Sequence, residues 1–124
     1  MRARWTRLAA TALSLGIAVQ QAKAQMNPFR SSRNATISEE DNRLMFDSID
    51  RLNKTSPLHV GQSEQWSNPK TGTSGSSTVQ RIYRSHGMAC HLLRHHIVVQ
   101  KREPGRTYNI NWCQTASGEW KSVE

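Results

Sequence analysis

The feature that most constrains this chain is a pair of alternating stretches near its C-terminus, His91–Gln100 and Arg106–Trp112, bracketed by its two cysteines, Cys90 and Cys113. In the first, His91, Leu93, His95, Ile97 and Val99 alternate with Leu92, Arg94, His96, Val98 and Gln100; in the second, Tyr108, Ile110 and Trp112 share one side. Period-two alternation with β-branched residues marks strands covered on one face. The segment between them contains Pro104-Gly105, so the stretches read as antiparallel neighbours. Any register whose paired residue numbers sum to an odd value places Tyr108, Ile110 and Trp112 with Leu93, Ile97 and Val99. That shared face is the expected core.

The same pair carries a tension. If Cys90 faces Cys113 directly, a tight turn falls on Lys101-Arg102, whose turn chemistry is poor. If Pro104-Gly105 forms the tip, the cysteines separate along the ladder, beyond the roughly 7 Å between Cα atoms that a disulfide tolerates. A bulge or an asymmetric loop across Lys101–Arg106 reconciles the two. In an exported chain an even cysteine count reads as one disulfide.

Upstream, a helix is predicted from Ser38, a cap with Asp41 three residues on, to the neighbourhood of Lys54 and Pro57. Met45, Ile49 and Leu52 recur at helical spacing with Leu44 beside them, while Glu40, Asp47, Asp50 and Arg51 are polar. The mixed charge argues for packing on a core rather than for lying on a membrane surface. After Pro57 the pattern turns to strands: Gln62–Trp66, a turn over Ser67–Gly72, a wide loop or frayed strand over Thr73–Ser77, Thr78–Arg84, and a last segment over Glu119–Val123. The expected fold class is α+β, one N-terminal amphipathic helix packed on a small antiparallel sheet of four to five strands, over residues 38–124.

Residues 1–24 read as a signal peptide. Arg2, Arg4 and Arg7 precede the apolar run Leu8–Val19, and Ala22-Lys23-Ala24 supplies small residues for cleavage before Gln25. No cysteine stands at that point to accept a lipid. Residues 25–37 read as a flexible leader. Cleavage removes four of the 17 basic residues and none of the nine acids, reducing a formal charge of +8 to +4. Half the basicity is thus an export feature and a poor argument for nucleic acid, which is not expected as a partner; what remains leaves a weak preference for anionic lipid or acidic polysaccharide. No apolar run reaches the roughly 18 residues of a membrane-spanning helix, so no transmembrane span is expected in the mature chain.

The residues offer several chemistries. His86, His91, His95 and His96 cluster, but on a strand His91 and His95 lie roughly 13 Å apart, so a metal would need ligands from another strand. Cys90 or Cys113 with a histidine would make a hydrolase only if reduced. No carboxylate pair stands out for glycoside chemistry. Trp66, Asn68 and Trp120, on or beside turns, are the candidate binding residues. No cofactor is expected, because the nucleotide-binding glycine patterns, zinc-finger spacings and nucleophile elbow are all missing.

Trp66-Ser67-Asn68-Pro69-Lys70-Thr71-Gly72, Ser74-Gly75, Tyr83, Cys90, Cys113 and Gly118-Glu119-Trp120-Lys121 together resemble the C-terminal domain of the rickettsial 17 kDa surface antigen family. The resemblance runs over roughly Val60–Val123. It implies a small β-rich, envelope-associated domain with no established catalysis. Members often carry a lipidated cysteine and a glycine zipper; this chain has neither, which points to the periplasm, with outer-membrane association as the alternative. Where members have Arg-Glu after the first cysteine, this chain has His91-Leu92. The resulting expectation is a non-enzymatic exported envelope protein, a structural or interaction module whose partner is an envelope component or another envelope protein. The alternatives are a small secreted inhibitor or ligand-binding protein acting on an envelope enzyme or glycan, and a metal-binding protein using the histidine-rich strand.

Overall fold

A computed structural model describes residues 28–29 and 37–124. The signal segment lies outside the described residues. One helix, α1 (Glu39–Lys54), is followed by five strands: β1 (Ser63–Asn68), β2 (Thr73–Ser85), β3 (Met88–Val98), β4 (Arg106–Gln114) and β5 (Trp120–Val123). The strands pair antiparallel in chain order, as a meander. This is an α+β fold. None of the described helices is long and apolar enough to cross a membrane.

The helix starts where its caps dictate. Asp41 N–H donates to Ser38 Oγ and Ser38 N–H donates to Asp41 Oδ2, both at 3.0 Å, closing a capping box. Acids fill the first turn, and Arg51 and Lys54 the last, matching the helix dipole. Met45, Ile49 and Leu52 are buried and face the sheet, where they meet Trp66, Val79, Leu93, Ile97 and Trp112. Tyr108, Ile110 and Val99 are partly buried against the same cluster. Phe29, within the segment expected to be a flexible leader, is part of this core and only 2% exposed.

Cys90 stands opposite Cys113, and the ladder keeps that register through Ile97–Arg106. The two cysteines are disulfide-bonded with their Cα atoms 4.1 Å apart. The tension over the turn is resolved by an asymmetric connection: a short 3-10 turn at Val99–Lys101, then Gly105 at φ +79°, lead into β4. Thr73–Ser77, expected as a loop or frayed strand, is instead the first part of β2, paired with β1 throughout and with β3 from Ser74 on. Its small side chains fit because Trp66 covers that stretch; a Cβ on Gly75 would sit 2.6 Å from Trp66 Nε1. β2 and β3 are joined by a two-residue turn, His86-Gly87, both at positive φ (49° and 75°), the geometry that matches strand twist.

Candidate functional site

The sheet has two unlike faces, and the register assigns each of the three histidines of β3 to one of them. On the helix-facing side His95 is 1% exposed. Trp112 Nε1–H donates to His95 Nε2 at 3.1 Å, and His95 Nδ1 lies 2.7 Å from Ser77 Oγ. An indole nitrogen can only donate, so Nε2 carries the lone pair, Nδ1 carries the proton, and Nδ1–H donates to Ser77. Burial pushes the His95 pKa down to about 4, so this neutral tautomer is the stable form. Phe29 meets the ring edge-on at 5.1 Å. The Ser77–His95 pair is therefore no nucleophile and base: both groups are buried beneath the helix, and the nitrogen remote from Ser77 is already occupied.

His91 is also turned inward, 6% exposed, with its pKa lowered by burial. Its Nδ1–H donates to Asn53 Oδ1 of the helix at 2.8 Å, and its ring stacks on Trp120, centroids 4.2 Å apart. Beside this stack a groove of about 260 Å³ opens between α1 and the β5 edge, lined by Phe46, Asp47, Ile49, Asp50, Asn53, Trp112 and Trp120. Asn53 Nδ2 is buried, with no hydrogen-bond partner among the described residues. Among the described residues no three His, Cys, Asp or Glu side chains converge to ligate a metal.

Asn68 is 4% exposed and committed at both ends. Its Nδ2 donates to Asp41 Oδ1 at 2.8 Å and its Oδ1 accepts from Lys70 N–H at 3.1 Å. Thr71 Oγ1 also donates to Asp41 Oδ1, at 2.7 Å. Burial raises the Asp41 pKa, but the hydrogen bonds from Thr71, Ser38 and Asn68 outweigh it and leave the carboxyl below its usual range. The turn after β1 is thus tied to the helix cap. Trp66 is 7% exposed and lies over Gly75. Of the three candidate binding residues, Trp120 is the one that lines a groove on the helix side with part of its surface open.

Among the described residues no helix lies over the other face of the sheet. Two adjoining depressions, of about 440 and 250 Å³, share Ser76 and His96 and run from Gln65 and Ser67 on β1 to Thr107 on β4. Arg94, opposite Thr78 on one side and Asn109 on the other, is exposed at the centre, and His96 Nδ1 lies 3.2 Å from Thr107 Oγ1. Further along, Arg81 sits 4.7 Å above the Tyr83 ring, and Tyr83 O–H donates to Asn111 Oδ1 at 2.6 Å, reaching past the disulfide strand. Lys121, opposite Cys113, pairs with Glu119 at 3.7 Å.

None of the nine carboxylates belongs to a strand residue of this face, although Glu119, just before β5, reaches Lys121. Glu39, Glu40, Asp41, Asp47 and Asp50 belong to the helix, and Glu64 points back to it, paired with Arg51 at 2.9 Å. Glu103, Glu119 and Glu124 lie outside the strands. The result is a sheet face of hydroxyls, amides and cations with no acid among its strand residues. No family model, curated protein or solved structure matches this chain.

Sequence reasoning passed over Asn53 and Thr107, and placed Arg94 and His96 on the face opposite the expected core without giving them a binding role. For Arg94 and His96 the alternation with the buried members of β3 supplies the face, and the pairing with β2 and β4 supplies their neighbours. Asn53 carried no signal, because its partner His91 is 38 residues away.

Proposed function

We propose that this chain is an exported, non-catalytic protein of the cell envelope that binds an acid-bearing envelope polymer across the open face of its sheet. One observation carries the reading: the strand residues of that face include Arg81, Arg94, His96 and Lys121 and no carboxylate, although the chain has nine. Such a field attracts polyanions and steers their approach. Ser76, Thr78, Thr107, Gln65 and Asn109 add donors and acceptors suited to sugar hydroxyls and carboxylates. A glycan is favoured over a lipid surface because Leu92 and Val98 are largely covered and Val123 alone of this face is an exposed large hydrophobic. Export is supported by the residue pattern of 1–24, by the resemblance to an envelope family, and by compatibility with a disulfide.

The test has two parts. Intact mass of protein recovered from its native envelope fraction should begin at Gln25, with alkylation only after reduction. Purified protein should co-sediment with isolated cell-wall polymer in a salt-sensitive manner, and Arg81→Glu/Arg94→Glu should abolish it while leaving the far-UV spectrum unchanged. A full-length mass overturns export. Retention unaffected by charge reversal overturns the binding face.

A further inference from the structure

β5 covers only part of β4. It pairs with residues 111–114, and no described residue pairs with the outer edge of residues 106–110. Cys90 and Cys113, opposite each other with Cα atoms 4.1 Å apart, mark a narrow, non-hydrogen-bonded pair. Alternation along the ladder then assigns the bonds between β3 and β4 to His91 with Trp112, Leu93 with Ile110, His95 with Tyr108 and Ile97 with Arg106. The backbone N–H and C=O groups of Thr107 and Asn109 therefore point away from β3, into the open edge.

This edge lacks the devices that usually keep strands apart. The far end of β2 is also unpaired beyond β1, but a bulge at Val79/Arg81 and the exposed Arg81 and Arg84 blunt it. On β4 the register is regular from Cys113 to Arg106, and residues 107–112 hold no charge, no proline and no glycine. Thr107, Tyr108 and Ile110 favour strands. A segment of this kind left on an edge recruits another strand.

We infer that residues 106–110 form the contact between two copies of this chain, their β4 strands pairing antiparallel about a two-fold axis at Tyr108. One register fits. With Thr107 opposite Asn109 of the second copy, and Asn109 opposite its Thr107, each pair exchanges two hydrogen bonds and every outward backbone group of the two residues is matched. A shift of one residue sets bonding groups against non-bonding ones. A shift of two residues one way puts the second copy opposite Asn111, where Val123 already stands; the other way, Asn109 faces Gly105, outside β4. In the fitting register the two Tyr108 side chains meet at a narrow pair, where aromatic neighbours are favourable. Like charges do not face each other: Arg106 falls opposite Ile110, where β5 ends, beside Glu124 of the other copy. The two sheets join into one with their open faces on the same side. This contact needs no polymer, and the polymer-binding reading does not depend on it.

Sedimentation equilibrium of the purified, oxidised protein is the test. The mass is expected to double as concentration rises through the micromolar to millimolar range. Asn109→Pro removes a donor that points out of the sheet and keeps the bonds to β3, so it should leave the chain monomeric throughout. Thr107→Lys/Asn109→Lys, at two exposed positions, sets lysine against lysine across the axis and should do the same with an unchanged far-UV spectrum, which covers the case of a proline that disturbs folding. Arg106→Glu should weaken the dimer, and Arg106→Glu/Glu124→Arg should restore it. A monomer at every concentration, a dimer that survives either β4 variant in folded form, or a charge swap without recovery would overturn the inference.

Discussion

Acidification should unfold this protein in a pH range set mainly by one buried ring. His95 is held neutral in the folded state, with a pKa of about 4 against 6.5 for the free side chain. Between those values the unfolded chain binds a proton that the folded chain refuses, so stability falls as pH falls. Each pKa unit corresponds to about 1.4 kcal/mol. Lowering the pH from 7 to about 4 therefore removes about 3 kcal/mol, a large part of the stability of a domain this size. The cause is burial, which leaves a charged ring without water, and the geometry of the site points the same way. Protonating Nε2 would set two N–H groups, those of Trp112 and His95, against each other at 3.1 Å, in a site closed by Phe29 and Tyr108. His91, also lowered by burial, adds to the slope in the same direction. Asp41 acts lower still: its depressed carboxyl contributes stability that is lost only below its unfolded value of 3.8. Urea unfolding at a series of pH values gives the wild-type slope. His95→Gln, uncharged throughout, should lose most of that slope between pH 6.5 and 4.5, and the native His95 ring should not titrate by NMR above pH 5. Equal slopes in the two proteins, or a ring that titrates near 6.5, would refute the reasoning.

Other predictions follow from single contacts. Asp41→Ala removes the helix cap and leaves Asn68 Nδ2 buried without its acceptor, so urea denaturation should show a loss of about 3 kcal/mol, against about 1 kcal/mol for Ser38→Ala, which loses the cap alone. Gly75→Ala places a methyl group 2.6 Å from Trp66 Nε1 and 2.9 Å from the His96 carbonyl oxygen, and should cost about 1–3 kcal/mol by overpacking, with a visible change in tryptophan emission. Reduction of Cys90–Cys113 releases a loop of 23 residues and should lower stability by about 3 kcal/mol, read as a shift of the urea midpoint with and without reductant.

Local chemistry determined much of this fold. Ser38 and Asp41 fix where the helix starts because capping is a matter of residues three apart. Met45, Ile49 and Leu52 fix which side of it is buried, since their spacing matches the helical turn. The alternation in β3 and β4 fixes which residues share a face, and the parity expected for their pairing is the one observed. The cysteine pairing was equally accessible once an oxidising compartment was inferred.

Tertiary structure decided the rest. Thr73–Ser77 has almost no contrast between apolar and polar positions, so its alternation is silent until Trp66 and the helix press on one side. Phe29 joins the core across a long separation in sequence, through contacts with Phe46, His95 and Tyr108. Asn68 and Asp41 are both ordinary surface residues by type, and they become buried partners 27 residues apart. The same holds for His91 and Asn53, joined across 38 residues. Apolar periodicity is local and can be read along the chain. The partner of a buried polar group is chosen by whichever segment the fold brings against it, and only the three-dimensional arrangement specifies that.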